Sequence, residues 1–209
     1  MKTEFILRAA KAVHHAIQSH EAELESLDRE IGDGDHFINM KRGCATIVDM
    51  HDELAALPPD AVLHKIGMKL LSTIGGASGP LIASFFMAKA KIVKEHGADD
   101  LAKIAAAFAA GVEAIKSRGK ADIGEKTMLD VLIPVSRTFT KLAALGTERA
   151  ELFAALKHEA EQGMLATRDM IATKGRAAFL GERAIGHIDP GAKTSQVIIH
   201  TVCDVALKP

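Results

Sequence analysis

Apolar residues recur at three- and four-residue spacing along nearly the whole chain, and this period leaves helix packed on helix as the natural fold. Phe5, Leu7, Ala9, Val13 and Ile17 fall mostly along one face of a helix over 4–19, which Thr3 can cap. A short turn of helix over Glu21 to Leu27 follows and leads into the acidic run. A second helix runs through Ile38, Met40, Ala45, Ile47 and Met50 and breaks near Pro58-Pro59. Asp60 restarts the chain, and Val62, Ile66, Met68, Leu70 and Leu71 make the next face. Further helices are predicted from Leu81 towards His96, from Asp99 to Lys120, over about 127–144 with Pro134 inside, from Thr147 through Ile171, and over about 193–207. Abundant Ala and Leu, with no Trp or Tyr, favour the same class. Gln196 to Val202 is rich in β-branched residues, but nothing else in the chain would pair with it as a strand. The expectation is all-α: one domain over 1–209 with about eight helices, and short connections that make neighbours antiparallel in an up-and-down bundle.

A chain of 209 residues is long enough for one ample core. A formal net charge of -1 gives nucleic acid no electrostatic foothold, and 48% hydrophobic residues exclude disorder. Cys44 and Cys203 fall in apolar helical patterns and read as buried free thiols of a reducing compartment. Met1-Lys2-Thr3-Glu4 leads into an amphipathic helix without a signal-peptide pattern, and no apolar run is long enough to cross a bilayer. A cytoplasmic protein is expected, with no membrane partner.

Four Gly-rich connections interrupt the helical pattern: Gly32–Asp35, Gly75–Gly79, Arg118-Gly119-Lys120 with Gly124–Thr127, and Lys174–Gly191. In an up-and-down bundle alternate connections lie at the same end. These four are the odd-numbered ones; the even-numbered ones, at Leu57–Pro59, Gly97–Asp99 and Gly146-Thr147, are bland turns. One end should therefore carry the chemistry while the other only reverses the chain.

The run Leu27-Asp28-Arg29-Glu30-Ile31-Gly32-Asp33-Gly34-Asp35-His36 brings three carboxylates, Asp28, Asp33 and Asp35, into eight residues. Carboxylate oxygens are the hard ligands that Mg²⁺ and Ca²⁺ prefer, and the glycines let the backbone turn tightly enough to aim them. The plain alternative is a solvated turn. An EF-hand does not fit, because its sixth and twelfth places would hold Asp33 and Asn39. The Gly75-Gly76-Ala77-Ser78-Gly79 connection opens a helix, where exposed N–H groups and the helix dipole suit a phosphate, and Ser78 adds a hydroxyl. It is not a P-loop. Lys174, Arg176 and Arg183 add positive charge opposite the acidic run, and the long segment containing them has the makings of a lid. His36 and His187 lie in Gly-rich loops at this end, unlike the histidines scattered over helices. Met128 opens a helix beside the site, where an aliphatic group would have to support a nucleobase. Together these features point to Mg²⁺-nucleotide binding, with the metal bridging carboxylates and phosphates.

The acidic run, with Asn39-Met40 and Arg42-Gly43, resembles the nucleotide-binding L subunit of dihydroxyacetone kinase. The similarity continues, in order, through Gly75–Pro80, Ser117–Lys120, Gly124–Asp130, Lys174–Ala177 and Leu180–Ala192. Two departures stand out. Phe37 replaces a small residue, and Ala178-Phe179 stands where Ser-Tyr is common, which removes two hydroxyls. The resemblance implies an antiparallel α-barrel with the nucleotide, ADP or ATP, at one mouth. It implies that Asp28, Asp33 and Asp35 hold two Mg²⁺ ions and act in catalysis. His36, Asn39, Gly76, Ala77, Ser78, Gly119, Thr127, Met128, Arg176, Asp189, Pro190 and Gly191 would surround the nucleotide. It further implies phosphoryl transfer from a phosphohistidine on a phosphotransferase-system partner (the M subunit) to dihydroxyacetone held on a separate K subunit. The alternatives are an ATP-dependent kinase subunit for a related keto-sugar and a nucleotide-dependent regulator that binds a transcription factor. A homodimer is a further expectation.

Overall fold

The amphipathic runs become helices whose apolar faces close on one another in a ring. The computed structural model describes residues 1–208. Its α-helices are α1 (Thr3–Ser19), α2 (Glu21–Ile31), α3 (His36–Asp49), α4 (His51–Ala55), α5 (Pro59–Thr73), α6 (Ser78–His96), α7 (Leu101–Gly119), α8 (Leu129–Ala144), α9 (Arg149–Ala166) and α10 (Pro190–Leu207). Two 3₁₀ segments, Thr167–Asp169 and Arg176–Ala184, lie between α9 and α10, and there is no strand among the described residues. The helices α1, α3, α5, α6, α7, α8, α9 and α10 each pack on the next, and α10 packs back on α1. That is a closed up-and-down barrel of eight helices. The short α4 rests on α1 and α3, and α2 meets α3, α10 and the second 3₁₀ segment.

Local chemistry explains most boundaries. Pro59 stands at the start of α5, where its missing N–H costs nothing. Gly97 ends α6 with φ of 78°. The Asp100 carboxylate accepts from Lys103 N and caps α7, and Glu148 caps α9 through Ala150 N and Glu151 N. Several boundaries differ from the sequence expectation: the second predicted helix is split into α3 and α4, and α10 begins at Pro190 rather than about 193. Thr3 does not cap α1; it is the first helical residue, and its hydroxyl donates to Leu57 O at 2.8 Å, tying α1 to the turn before α5. The short helix expected over Glu21 to Leu27 runs on to Ile31. The helix α6 begins at Ser78, three residues before Leu81. The helix α9 stops at Ala166, tightens into the 3₁₀ segment Thr167–Asp169 and gives way to extended backbone at Met170, so Ile171 lies outside it.

The core forms the walls between helices. Ile6, Leu54, Val62, Leu63, Ile66 and Leu70 pack on one side, and Val131, Phe139, Leu152, Leu156 and Ala160 on the other. Phe37, one of the two departures from the family pattern, is buried with Ile17, Leu24, Met40, Cys44 and Val197. Cys44 and Cys203 are buried and free, as expected. An apolar cavity of about 280 Å³ runs inside the barrel; Phe5, Ile66 and Phe108 line it, as do His36, Ser78 and Met128. Among the described residues no helix is long and apolar enough to cross a membrane.

Contacts sort the connections into two ends. At one, Thr3 meets Leu57, the Met1 ammonium feels Asp99 and Asp100, and Arg149 donates to Ala206 O. These are the bland turns. The Gly-rich connections meet one another at the opposite end.

A close helix–helix approach brings α9 against the start of α8 at Gly163. A Cβ there would stand 2.3 Å from Asp130 O and 3.0 Å from Val131 Cα, both of which are backbone atoms. Gly163→Ala should therefore force the two helices apart and destabilise the fold by about 1–3 kcal/mol. Urea unfolding monitored by circular dichroism should show a lowered midpoint with an unchanged slope.

Candidate functional site

The acidic residues are brought to one point by the end of α2 and the start of α3. Asp28 lies in the last turn of α2 and is buried; Asp33 and Asp35 are exposed in the following loop. One carboxylate oxygen from each of the three lies within 4.8 Å of the other two. Asp28 Oδ2 accepts from His36 N at 2.9 Å, which folds the loop back over the helix end. Gly32 makes this fold sterically permissible: a Cβ on it would stand 1.8 Å from Asp28 Oδ1. Gly34 has φ of 78°, a left-handed conformation that glycine adopts without cost. Asp35 occupies the N-cap position of α3, yet its carboxylate caps nothing. Asp33 pairs with Arg176 Nε at 2.8 Å. Three converging carboxylates with one guanidinium between them make a strongly anionic point that a divalent cation would neutralise. The donor set, hard oxygens on a tight loop with a free carboxylate at Asp35, fits Mg²⁺.

The second Gly-rich connection adjoins this point. The Asn39 side chain, buried on α3, accepts from Gly75 N at 3.4 Å. Gly76 has φ of 65°, and an added Cβ there would meet nothing within 4 Å, so this face is open. Ala77 precedes α6, and no side chain caps that helix. Ser78 opens α6 and donates its hydroxyl to Gly75 O at 3.1 Å. The first N–H groups of this long helix are therefore available to an anion. Gly119 ends α7 against Leu81 of α6, 3.3 Å from where a Cβ would sit. His36 Nε2 lies 2.7 Å from Thr194 Oγ1 on α10. Burial lowers the imidazole pKa, against the opposing pull of Asp28 and Asp35.

The arm between α9 and α10 closes over the acidic point. Ala177, Leu180 and Ala184 pack on Ile31 at the end of α2. His187 Nδ1 stands 3.9 Å from Glu30, and Lys174 pairs with Glu125 at 3.8 Å. The lid segment is thus seated on α2. Phe179, where the family pattern has a hydroxyl, is 83% exposed, so the missing hydroxyl leaves no partner stranded within this chain. At the far root of the arm, Asp189 accepts from Ala192 N at 2.7 Å and caps α10, with Pro190 in its first turn. Gly191 lies against Met128, with a would-be Cβ 3.7 Å from Met128 Cβ. Thr127 Oγ1 accepts from Leu129 N at 3.1 Å and so is committed to starting α8.

Every candidate nucleotide- or metal-site residue named from the sequence lies at this end, on or beside one of the four connections. Sequence reasoning missed the residues that hold those connections together. Asp130 is buried and accepts from Gly124 N at 2.5 Å and Thr127 N at 2.7 Å. Lys126 is buried and donates to main-chain carbonyls across the site. A charged residue in a Gly-rich loop reads as solvated; the one hint was that Glu125, Lys126 and Asp130 fall within six positions of each other at a helix start.

Residues 30–204 match the family model for the DAK2 domain. The chain is 40% identical over 185 residues to the Escherichia coli protein named PEP-dependent dihydroxyacetone kinase, ADP-binding subunit DhaL, covering 88% of each. The chain belongs to the DAK2-domain family. It is also 40% identical over 189 residues, 90% of each chain, to the PTS-dependent ADP-binding subunit DhaL of Lactococcus lactis. The crystal structure of the C. freundii dihydroxyacetone kinase in complex with AMP-PNP and Mg²⁺ superposes with a TM-score of 0.74 at 25% identity. That match covers 95% of this chain but 33% of the kinase, so this DAK2-domain chain spans about a third of that protein.

Asp189 gives the site a pH signature. Asp189 is half-buried, and desolvation pushes its pKa up to about 7, with Asp130 adding to the rise; Lys126 and the N–H groups of Gly191 and Ala192 pull the other way. The unfolded chain releases this proton near pH 3.9. Between about pH 4 and 7 the folded state therefore holds more protons, and this contribution to stability falls as pH rises. Asp189→Asn keeps a cap for α10 and removes the titration. The drop in urea midpoint between pH 5 and pH 7.5 should be smaller in the variant than in the unsubstituted protein.

Proposed function

We propose that this chain is the ADP-binding, phosphoryl-transferring subunit of a dihydroxyacetone kinase. The observation that carries the reading is the convergence of Asp28, Asp33 and Asp35 on one point, beside an uncapped helix start. The 40% identity to ADP-binding DhaL subunits over 88% of both chains supports it. Asp28, Asp33 and Asp35 are the residues that would hold Mg²⁺, as a pair of ions, and the metal would supply positive charge beside the diphosphate. The first N–H groups of α6, with Gly76, Ala77 and Ser78, receive phosphate oxygens. Arg176, which pairs with Asp33 here, would be within reach of a phosphate held beside that carboxylate. Met128, Gly119 and the Asp189-Pro190-Gly191 helix start surround the rest of the nucleotide, with Thr127 fixing the backbone that presents Met128. His36 and Asn39 keep the acidic loop and the Gly75 connection in register. The seated arm excludes water from the transfer.

Bound Mg²⁺ would draw charge from the phosphate oxygens as the phosphoryl group moves. The donor is a phosphohistidine of a phosphotransferase-system partner, and the acceptor is dihydroxyacetone held on a separate K subunit. Both must present their reacting atoms at the open mouth, and this chain need supply no nucleophile of its own.

Asp33→Asn and Asp35→Asn should each weaken Mg-ADP binding and depress transfer by at least about a hundredfold, as loss of a charge-bearing metal ligand demands. Gly32→Ala, which drives a methyl group into Asp28, should weaken metal binding without touching a ligand. Calorimetric titration with Mg²⁺ and ADP reads the first effect. A coupled assay with K subunit and either a phosphohistidine donor or ATP reads the second. Unchanged binding in both Asp variants would refute the assignment.

A further inference from the structure

Lys126 is 1% exposed, and it leads the large side chains that are fully buried. Its backbone is left-handed, with φ of 60°, where a β-carbon is disfavoured and glycine or asparagine is the unstrained choice. Its neighbour Gly124 meets the same requirement, at φ of 88°, with glycine. What keeps a lysine in that conformation is visible at the end of its side chain. Nζ donates to Thr167 O at 2.5 Å and to His187 O at 2.6 Å, with Arg168 O at 3.5 Å. Three donors thus meet three carbonyls. Two of the carbonyls extend the C-terminal end of α9, where the helix dipole is negative. The third lies two residues before the Asp189 cap of α10. Asp189, Asp130 and Asp169 lie near enough to favour the charge, against desolvation.

The two roots of the arm therefore meet at one ammonium. Two other bonds close the same neck: Gly186 N donates to Arg168 O at 2.8 Å, and Asp189 N donates to Thr167 Oγ1 at 3.1 Å. Outside the neck, Thr173 Oγ1 donates to Glu125 Oε1 at 2.8 Å, so the loop preceding α8 also grips the flank of the arm. Arg176 is exposed, and its own packing fixes it weakly. We propose that Lys126 is a positioning residue for nucleotide binding: by stapling residues 167–168 to residue 187 it sets the length and seat of the 168–186 arm, and through the arm it places Arg176. The staple itself stands on the contacts above, whereas the effect on nucleotide rests on the function proposed for the site.

The test uses the whole chain with four variants: Lys126→Met, Lys126→Gln, Arg176→Ala and the Lys126→Met, Arg176→Ala double variant. Hydrogen exchange reads the arm without ligand, and calorimetry with Mg²⁺ and ADP reads binding. In Lys126→Met, amide exchange over 168–186 should rise by about tenfold or more, from the loss of a charge-assisted bond. Exchange in α5, α6 and α7 should stay unchanged. Mg-ADP affinity should fall by about tenfold, and the losses from Lys126→Met and Arg176→Ala should not multiply in the double variant. Lys126→Gln, which keeps a donor, should fall between Lys126→Met and the unsubstituted protein, and it carries the test if Lys126→Met does not fold. Unchanged arm exchange in both Lys126 variants, or fully multiplicative losses, would overturn the proposal. Failure of the unsubstituted protein to bind ADP, with the arm still released in Lys126→Met, would instead sink the functional reading and leave the staple standing.

Discussion

Three carboxylates cannot share a point without something to offset their repulsion, and the mouth of this barrel is built around that constraint. Asp28 is fixed first, in the last turn of α2, where His36 N satisfies one of its oxygens. The Gly32 backbone lies too close to Asp28 for any side chain, so the loop can pass directly over the carboxylate and deliver Asp33 and Asp35 beside it. Arg176 supplies the countercharge that the chain itself can offer. That one guanidinium leaves two negative charges in excess, and the arrangement suits a divalent cation and a phosphate together better than either alone.

The barrel topology makes this economical. A ring of eight sequential helices places every second connection at the same end, so four loops far apart in sequence become neighbours without any insertion. The opposite end keeps only reversals, tied by bonds such as Thr3 to Leu57 and Arg149 to Ala206. Short bonds then fix the relative positions of the functional loops: Asn39 to the Gly75 connection, His36 to α10, and Lys126 to both roots of the arm. The anionic point is thus joined to an uncapped helix start and a positively charged arm, which are the elements that phosphoryl transfer requires.

The helical period and the Gly and Pro breaks made the class, the approximate helix count and the segregation of loops legible in the sequence, because each depends on local patterning. The Asp28, Asp33 and Asp35 cluster was legible too, since its members fall within a span of eight residues. Boundaries were less so. Thr3 resembles a cap, but its hydroxyl is claimed by Leu57, a contact 54 positions away. The helical period continues through Ile171, but the arm has to leave the barrel wall at Ala166 to reach α2. Lys126 and Asp130 were invisible as structural centres because their partners are main-chain atoms, which carry no residue identity for a sequence to display.

The most direct measurement of the central claim is electron paramagnetic resonance of Mn²⁺ substituted for Mg²⁺, recorded with and without ADP. The account expects ADP to tighten Mn²⁺ binding and to produce a phosphorus hyperfine coupling, with both effects lost in Asp33→Asn. Mn²⁺ that binds with the same affinity and the same spectrum whether or not ADP is present, or that binds Asp33→Asn unchanged, would contradict it.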